Sequence, residues 1–159
     1  MDTETTKRIV KFCAEECTRQ HSGELSVSGM FGAWIWVLEE NPPINTKTIL
    51  EIGRMVDPFQ NRSGFRTVRV SVGGSLKKVQ DFQRAIGVLC DSPLVSDPVE
   101  FYRHFEDIHP FVDGNGRTGA ILYNKMLGRL ESPTETPDVN DPEFWSIPVT
   151  KYRVGDSNG

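Results

Sequence analysis

Residues 109–120 read HPFVDGNGRTGA, a run in which a histidine, an aspartate, an asparagine between two glycines, and an arginine fall within nine positions. Apolar residues spaced three and four apart precede and follow this run, and that spacing indicates a helix on each side of it. We expect the first helix over residues 98–107 and the second over residues 115–131. The stretch is therefore predicted to be a tight loop that ends one helix and begins the next.

The start of a helix carries unpaired backbone N–H groups and a partial positive charge, so a glycine-bearing loop that enters one is suited to bind an anion. Gly114 and Gly116 would let phosphate oxygens approach the backbone, and Asn115 could add a side-chain donor. Arg117 could clamp an anion through two hydrogen bonds. Because a cation at a helix start opposes the helix dipole, a bound anion would relieve an otherwise unfavourable position.

Two residues of the stretch could carry further chemistry, and each also has a structural explanation. Asp113 is either the N-cap of the second helix or a ligand for a magnesium ion that accompanies phosphates. His109 can move a proton near neutral pH, which suits a general base, and it could equally close the preceding helix by binding a terminal carbonyl.

The rest of the chain is mainly helical in pattern. One segment, FRTVRVSVGG (residues 65–74), alternates apolar and polar residues and is bounded by glycines, which predicts a strand or hairpin arm. Residues 132–159 are rich in proline and acid and predict an irregular tail after a single domain over residues 1–131. The remaining helices are expected over residues 4–19, 28–40, 46–56 and 75–90.

Composition limits the function. A chain of 159 residues with net charge −4 lacks the basic face that binds nucleic acid or an anionic membrane. The apolar runs are too short to span a bilayer and the acidic start lacks a secretory pattern, so the expected location is the cytoplasm, or a host cytoplasm. Cys13, Cys17 and Cys90 predict buried reduced thiols, without the ligand spacing of a zinc site.

HPFVDGNGR resembles the active-site motif of the Fic (filamentation induced by cAMP) family, HPFx(D/E)GNGRxxR, over its first nine positions. Residues 64–74 resemble the family's flap hairpin, residues 99–111 its helix before the motif, and residues 119–128 its helix after it. The likeness spans residues 44–131. It implies an all-α fold, a compact helical bundle with a small β-hairpin flap beside the active-site loop.

The resemblance implies a protein adenylyltransferase, which transfers AMP from ATP to a Ser, Thr or Tyr hydroxyl of a target protein. His109 would be the general base, Phe111 would anchor the loop in the core, and Asp113 would hold Mg²⁺ against the phosphates. Arg117 would neutralise the outer phosphates. The anion hole would comprise Gly114, Asn115 and Gly116.

The flap would register an extended segment of the target by strand addition, which uses backbone bonds and says little about the target's sequence. The resemblance places this role on Val68, Arg69, Val70, Ser71 and Val72.

Ala120 departs from the motif, whose second arginine would lie one turn beyond Arg117 on the same face and also grip phosphate. This leaves a slower adenylyltransferase, an enzyme with another nucleotide donor, a phosphotransferase like the Doc toxins, or a binding module without catalysis. Lys125 and Arg129 lie too far along the helix to compensate. No inhibitory (S/T)xxxE(G/N) helix is recognisable, so control would come from a separate antitoxin protein or would not be needed.

Overall fold

A computed structural model describes residues 1–23 and 25–146. These ranges form a helical bundle with one small antiparallel hairpin, so the predicted all-α fold with a β-hairpin is confirmed. Among the described helices, none combines the length and the apolar character that a bilayer crossing requires. The elements are α1 (Thr3–Arg19), α2 (Leu25–Glu40), α3 (Thr46–Val56), β1 (Val70–Val72), β2 (Ser75–Lys77), α4 (Phe82–Cys90), a 3₁₀ turn (Pro93–Ser96), α5 (Pro98–Ile108), α6 (Asn115–Leu127) and α7 (Pro142–Ser146).

The central element is α2, which packs against α1, α3 and α6. Its residues Met30, Trp34 and Val37 recur three and four apart and are wholly buried, as this spacing requires of a helix face turned to the core. The two helices that flank residues 109–114, α5 and α6, pack directly against each other. Helix α4 also packs on α5.

The helix starts follow a simple chemical rule, because α1, α3, α4 and α5 each begin after a residue whose side-chain oxygen accepts a backbone N–H of the first turn. These N-caps are Asp2, Asn45, Asp81 and Asp97. The end of α6 is set differently: Gly128 adopts φ +70°, a left-handed conformation that suits glycine. The helix therefore ends at Leu127, four residues before the predicted end at 131.

The prediction of one helix over residues 75–90 is wrong in its first part. Gly73 and Gly74 both have positive φ, at +55° and +80°, and join two strands as a two-residue turn. Val70 pairs with Lys77 across this hairpin, and α4 begins only after Asp81. The alternating segment is thus the first arm of a hairpin. Its short return arm, Ser75–Lys77, occupies the start of the range predicted as a helix.

The chain beyond α6 is tied back to the bundle by side chains. The Trp34 Nε1 donates to the Leu130 carbonyl at 2.8 Å, and the amide of Asn124 bonds both the N–H and the C=O of Thr134. Further on, Phe144 of α7 is buried on Tyr102. Part of the predicted irregular tail is thus helical, residues 147–159 lie outside the described residues, and the domain boundary at 131 stays a prediction.

The three cysteines are free thiols. Cys13 and Cys17 lie on the core face of α1 and are buried, as predicted, whereas Cys90 is half-buried at the end of α4. Burial raises the pKa of Cys13 and of Cys90 to about 12, and it raises the pKa of Cys17 as well.

The packing of α3 on residues 109–114 can be tested at Gly53, where an added Cβ would overlap the Phe111 ring. We expect Gly53→Ala to lower the free energy of unfolding by about 1–3 kcal/mol, because overpacking displaces the ring. Gly32→Ala is the matched control: this glycine is also helical, but a Cβ there meets nothing within 4 Å. The free energy of unfolding of Gly32→Ala, measured by urea denaturation, should rise by up to about 1 kcal/mol. Equal stability of the two variants would contradict the packing.

Candidate active site

The segment from His109 to Gly114, here called the motif loop, turns the chain from α5 into α6. His109 is the C-cap of α5 with φ +52°, and its N–H donates to the Phe105 carbonyl at 3.0 Å. Gly114 is the N-cap of α6 with φ +76°. Two left-handed residues therefore bracket the loop, and they account for the abrupt change of direction that the sequence predicted.

Asn115 closes the loop from inside. Its Oδ1 accepts the Phe111 N–H and its Nδ2 donates to the Phe111 carbonyl, both at 2.9 Å, and the side chain is buried. The Phe111 ring is also wholly buried, with its centroid 5.4 Å from that of Phe65. Both polar ends of the Asn115 side chain are therefore engaged within the loop, and an anion would meet its backbone N–H rather than its side chain.

Asn61, whose role has no signal in the sequence, holds the loop from the opposite side. It follows α3 and is wholly buried. Its Nδ2 donates to the Gly53 carbonyl at 2.9 Å and to the Asp113 carbonyl at 2.8 Å, and its Oδ1 accepts the Asp113 N–H at 3.4 Å. The backbone of Asp113 is thus fixed to α3 while its carboxylate stays exposed.

His109 is suited to accept a proton. Its ring Nδ1 is buried, and a hydrogen bond with the Glu106 backbone acts on the ring by raising its pKa. Burial lowers the pKa of His109 to about 4, and the positive charges of Arg66 and Lys77 act in the same direction. The imidazole is therefore neutral at physiological pH and carries a free lone pair.

Arg117 is a buried cation with unmet donors. Its side chain is 1% exposed, and its nearest carboxylate oxygen is Asp113 Oδ2, 3.4 Å from Nη2. Its Nε and Nη1 are buried and have no partner in the described part of the chain. Leaving a buried charge poorly paired is costly, so this guanidinium favours an anion beside it.

The first turn of α6 adds backbone donors. The earliest backbone hydrogen bond of this helix runs from the Thr118 N–H to the Gly114 carbonyl, at 2.9 Å, and no side chain in residues 1–23 or 25–146 caps the helix start. The N–H groups of Asn115, Gly116 and Arg117 are therefore the free donors of a helix N-terminus. The predicted phosphate-binding residues lie together here, with the carboxamide of Gln20 packed over Gly116.

Asp113 is not the N-cap of α6, since that position belongs to Gly114. Its Oδ1 accepts the Gly114 N–H at 2.8 Å, and the carboxylate is 59% exposed. The described residues contain no group of three or more His, Cys, Asp or Glu placed to hold a metal ion. One exposed carboxylate still fits Mg²⁺ that arrives with phosphates, because this ion takes few protein ligands and keeps several waters.

A cleft of about 450 Å³ opens beside Gly116. Glu106 lines it, is buried, and has an Oε1 without a partner in the described ranges. Burial raises the pKa of Glu106 to about 7. The side chain of Arg19, also in the lining, is paired with Glu16 and Glu135. Other lining residues are Gln20, Tyr102, Thr136, Pro137, Asp138, Val139 and Asn140.

The motif predicts that the side chain at position 120 faces the nucleotide, but the side chain of Ala120 lies in the core. It has no exposed surface and belongs to the apolar core cluster. Lys125 and Arg129 do not substitute for an arginine there, since their side chains bond Asn41 and the Ser132 carbonyl. An arginine introduced at position 120 would enter the core rather than simply restore a phosphate contact.

The hairpin lies next to the motif loop through Arg66, which sequence reasoning also missed. The Arg66 N–H donates to the Pro110 carbonyl at 2.9 Å and its Nε to the His109 carbonyl at 2.7 Å. The predicted flap residues follow directly: Val68 and Arg69 precede β1, and Val70, Ser71 and Val72 form it. Val68 and Leu76 are more than half exposed.

Comparison with known proteins finds a family and several relatives. Residues 43–127 match the profile of the Fic/DOC family. Curated relatives include "Protein adenylyltransferase Fic" of Drosophila persimilis and of Drosophila melanogaster. Each is 37% identical over 106 residues, which cover 57% of this chain and 20% and 21% of the respective relative. The relative from Drosophila ananassae is 34% identical over 112 residues. The chain thus spans about a fifth of the length of these relatives.

The lowered pKa of His109 predicts a pH dependence of folding. The unfolded chain takes up the proton near pH 6.5, whereas the folded protein does so only near pH 4. Acidification through this window therefore stabilises the unfolded state, and the stability present above pH 6.5 is lost as the pH falls. We expect a loss of about 2–3 kcal/mol in the free energy of unfolding from this one group.

The measurement is urea denaturation at several pH values, comparing the wild type with His109→Asn. Asparagine tolerates the left-handed backbone of this position. The stability difference between the two proteins should move in favour of the variant as the pH falls from 7 to 4.5. Glu106 and the other titrating groups are retained in both, so their contributions cancel in the difference. If the free energies of unfolding of the two proteins change in parallel with pH, His109 is not held neutral in the folded protein.

Proposed function

Because the chain belongs to the Fic/DOC family, we propose that it is a protein adenylyltransferase that transfers AMP from ATP to a Ser, Thr or Tyr hydroxyl of a target protein. Its curated relatives carry the name adenylyltransferase, which supports this chemistry. The observation that carries the proposal is Arg117 at the start of α6, a buried guanidinium with two nitrogens that have no partner among the described residues. It requires an anion, and the neutral His109 lies at the other end of the same loop.

His109 acts as the general base in this proposal. Its neutral imidazole takes the proton of the target hydroxyl as the hydroxyl oxygen forms a bond to the α-phosphorus of ATP. The bond between that phosphorus and the oxygen bridging to the β-phosphate breaks, and pyrophosphate leaves. General-base catalysis of this kind contributes about 10²–10⁴-fold to a rate.

The start of α6 holds the phosphates. The backbone N–H groups of Asn115, Gly116 and Arg117 and the Arg117 guanidinium supply donors fixed before the substrate arrives, so no reorganisation is needed as charge develops on the leaving group. Glycine at position 114 is required by the packing, since a Cβ there would lie 2.7 Å from Val56 Cγ1 and 3.4 Å from Arg117 Nη2. Phe111 anchors the loop in the core.

Asp113 would hold Mg²⁺, which when bound neutralises phosphate charge. The hydrogen bond from the Gly114 N–H orients one carboxylate oxygen, and the exposure of the group leaves room for waters. The hairpin segment from Val68 to Val72 would align an extended target segment along its open edge. Control by a separate antitoxin protein and a cytoplasmic or host-cytoplasmic location remain predictions.

A different nucleotide donor is the second candidate, and the surroundings of Gly116 favour it. The motif's second arginine is replaced by Ala120, and the cleft beside Gly116 contains Glu16, Glu106, Glu135 and Asp138, of which Glu16 and Glu135 pair with Arg19. Carboxylates at the end of a phosphate site disfavour a long polyphosphate. ATP labelled at the α- or the γ-phosphate separates nucleotidyl transfer from a Doc-like phosphotransfer, and other α-labelled nucleotides test for a different donor.

His109→Asn should abolish transfer of the α-label to protein, with a loss of at least about 10²-fold, while ATP binding stays near that of the wild type. The control is His21→Asn, since His21 is a second histidine with positive φ, at +56°, but is exposed. Label transfer would be measured in a lysate with Mg²⁺. If His109→Asn transfers label as fast as the wild type, His109 is not the general base.

Asp113→Asn should remove the dependence of activity on Mg²⁺ together with most of the activity, because the amide is a poor ligand for a hard cation. Binding of ATP without Mg²⁺ should be as tight as in the wild type or tighter, since a negative charge beside the phosphates is gone. Calorimetry with and without Mg²⁺ measures this, and Asp91→Asn, at an exposed site, is the control. If Asp113→Asn gains as much affinity from Mg²⁺ as the wild type, Asp113 does not bind the ion.

A further inference from the structure

We propose that Arg66 is a positioning residue that couples the flap hairpin to His109, so that the placement of the hairpin sets the orientation of the base. This inference rests on the proposed function only where it treats His109 as the general base. Its structural part concerns one buried side chain that bonds both the hairpin and the motif loop.

The contacts of Arg66 join two segments far apart in sequence. Its Nε donates to the His109 carbonyl at 2.7 Å. Its Nη1 donates to the carbonyls of Val68 at 2.8 Å and Lys77 at 3.2 Å, and its Nη2 donates to the Lys78 carbonyl at 3.0 Å. Four hydrogen bonds therefore run from one guanidinium to four backbone carbonyls. The side chain is 3% exposed, with its Cζ 4.6 Å from the centre of the Phe82 ring.

These contacts close the open end of the hairpin. Val68 lies just before β1, and Lys77 and Lys78 lie at and just after the end of β2, opposite the turn at Gly73 and Gly74. A hairpin of two three-residue strands is at best marginally stable alone. Arg66 thus supplies the junction that holds its two strands together at the side of the motif loop.

At its other end the same guanidinium fixes the peptide group that follows His109. His109 is left-handed and is the last residue of the α5 turn, so its carbonyl is not part of the helix ladder. The bond from Arg66 Nε, together with the bond from the Arg66 N–H to Pro110, therefore sets the orientation of this peptide and of the imidazole on it. A target strand that shifts the hairpin would shift the base with it.

The role requires a guanidinium rather than any cation. No carboxylate pairs with Arg66 in the described ranges, and its planar fork reaches carbonyls in several directions, which a lysine ammonium does not. The charge has a separate effect, because Arg66 and Lys77 both lower the pKa of His109 while Asp113 raises it. Lys77 is itself 3.6 Å from Asp107 of α5.

Two variants separate the fork from the charge. Arg66→Lys keeps the charge and loses the fork, and Arg66→Met loses both. In each, hydrogen exchange of the amides in β1 and β2 should become faster, and kcat for label transfer should fall by about 100-fold, the effect of a misplaced group. KM for ATP should stay unchanged, because Asn61 and Asn115 still hold the phosphate end of the loop.

The pH behaviour distinguishes the variants from each other. In Arg66→Met the pKa of His109, followed by NMR in the protein without nucleotide, should rise towards that of a free histidine. The pH below which the transfer rate falls should rise with it. In Arg66→Lys that pKa should change less, although kcat has fallen. Arg84→Met is the control for loss of an arginine, since Arg84 is exposed on α4.

Unchanged exchange in the hairpin, or a loss of activity confined to KM, would overturn the proposal. If Arg66→Met does not fold, hydrogen exchange and the kcat-to-KM split in Arg66→Lys still decide it. If the wild type transfers no label at all, the proposed function fails, whereas exchange in the hairpin and the His109 titration test the coupling independently of any activity.

Discussion

The pair of hydrogen bonds between the Asn115 side chain and the backbone of Phe111 is the interaction on which the rest of the site depends. It closes the motif loop on itself, and it directs the Phe111 ring into the space left by Gly53 of α3. Once the ring is seated there, the peptide of Asp113 meets Asn61, and the first turn of α6 presents its free N–H groups on one side. These contacts are all made within the chain, so the fold itself fixes the donors that the proposed transfer would use to stabilise a charged transition state.

Burial has opposite consequences for the two ionisable groups that flank this closure. The imidazole of His109 can shed its proton, so the low-polarity surroundings leave it neutral and able to accept a new one. The guanidinium of Arg117 is buried too, and two of its nitrogens lack partners among the described residues. The same physical effect thus leaves a neutral imidazole at one end of a six-residue loop and a buried guanidinium just beyond the other end, which are the proposed base and the proposed anion receptor.

The order of chemical groups along residues 109–117 could be predicted from sequence because consecutive letters fix it, and the starts of α3 and α5, which follow the capping residues Asn45 and Asp97, lie at the predicted positions 46 and 98. What could not be predicted are the contacts that lie far away in the chain, such as those of Asn61 and Arg66, 52 and 43 residues from their partners. A polar residue in a loop looks the same in sequence whether it is solvated or buried. The face of α6 that carries Ala120 was equally hidden, since helical spacing relates positions to one another but not to the core.

The chemistry of the three thiols has a practical consequence for work on this protein. The thiolate is the form that reacts with alkylating reagents, and with a pKa of about 12 fewer than about one in a thousand of the Cys13 and Cys90 side chains carries it at neutral pH. Burial also raises the pKa of Cys17, which is 1% exposed, so a cysteine introduced at an exposed serine of the hairpin, such as Ser75, would take up a fluorophore selectively without removal of the native thiols. Such a label would report movement of the hairpin in an otherwise unaltered molecule.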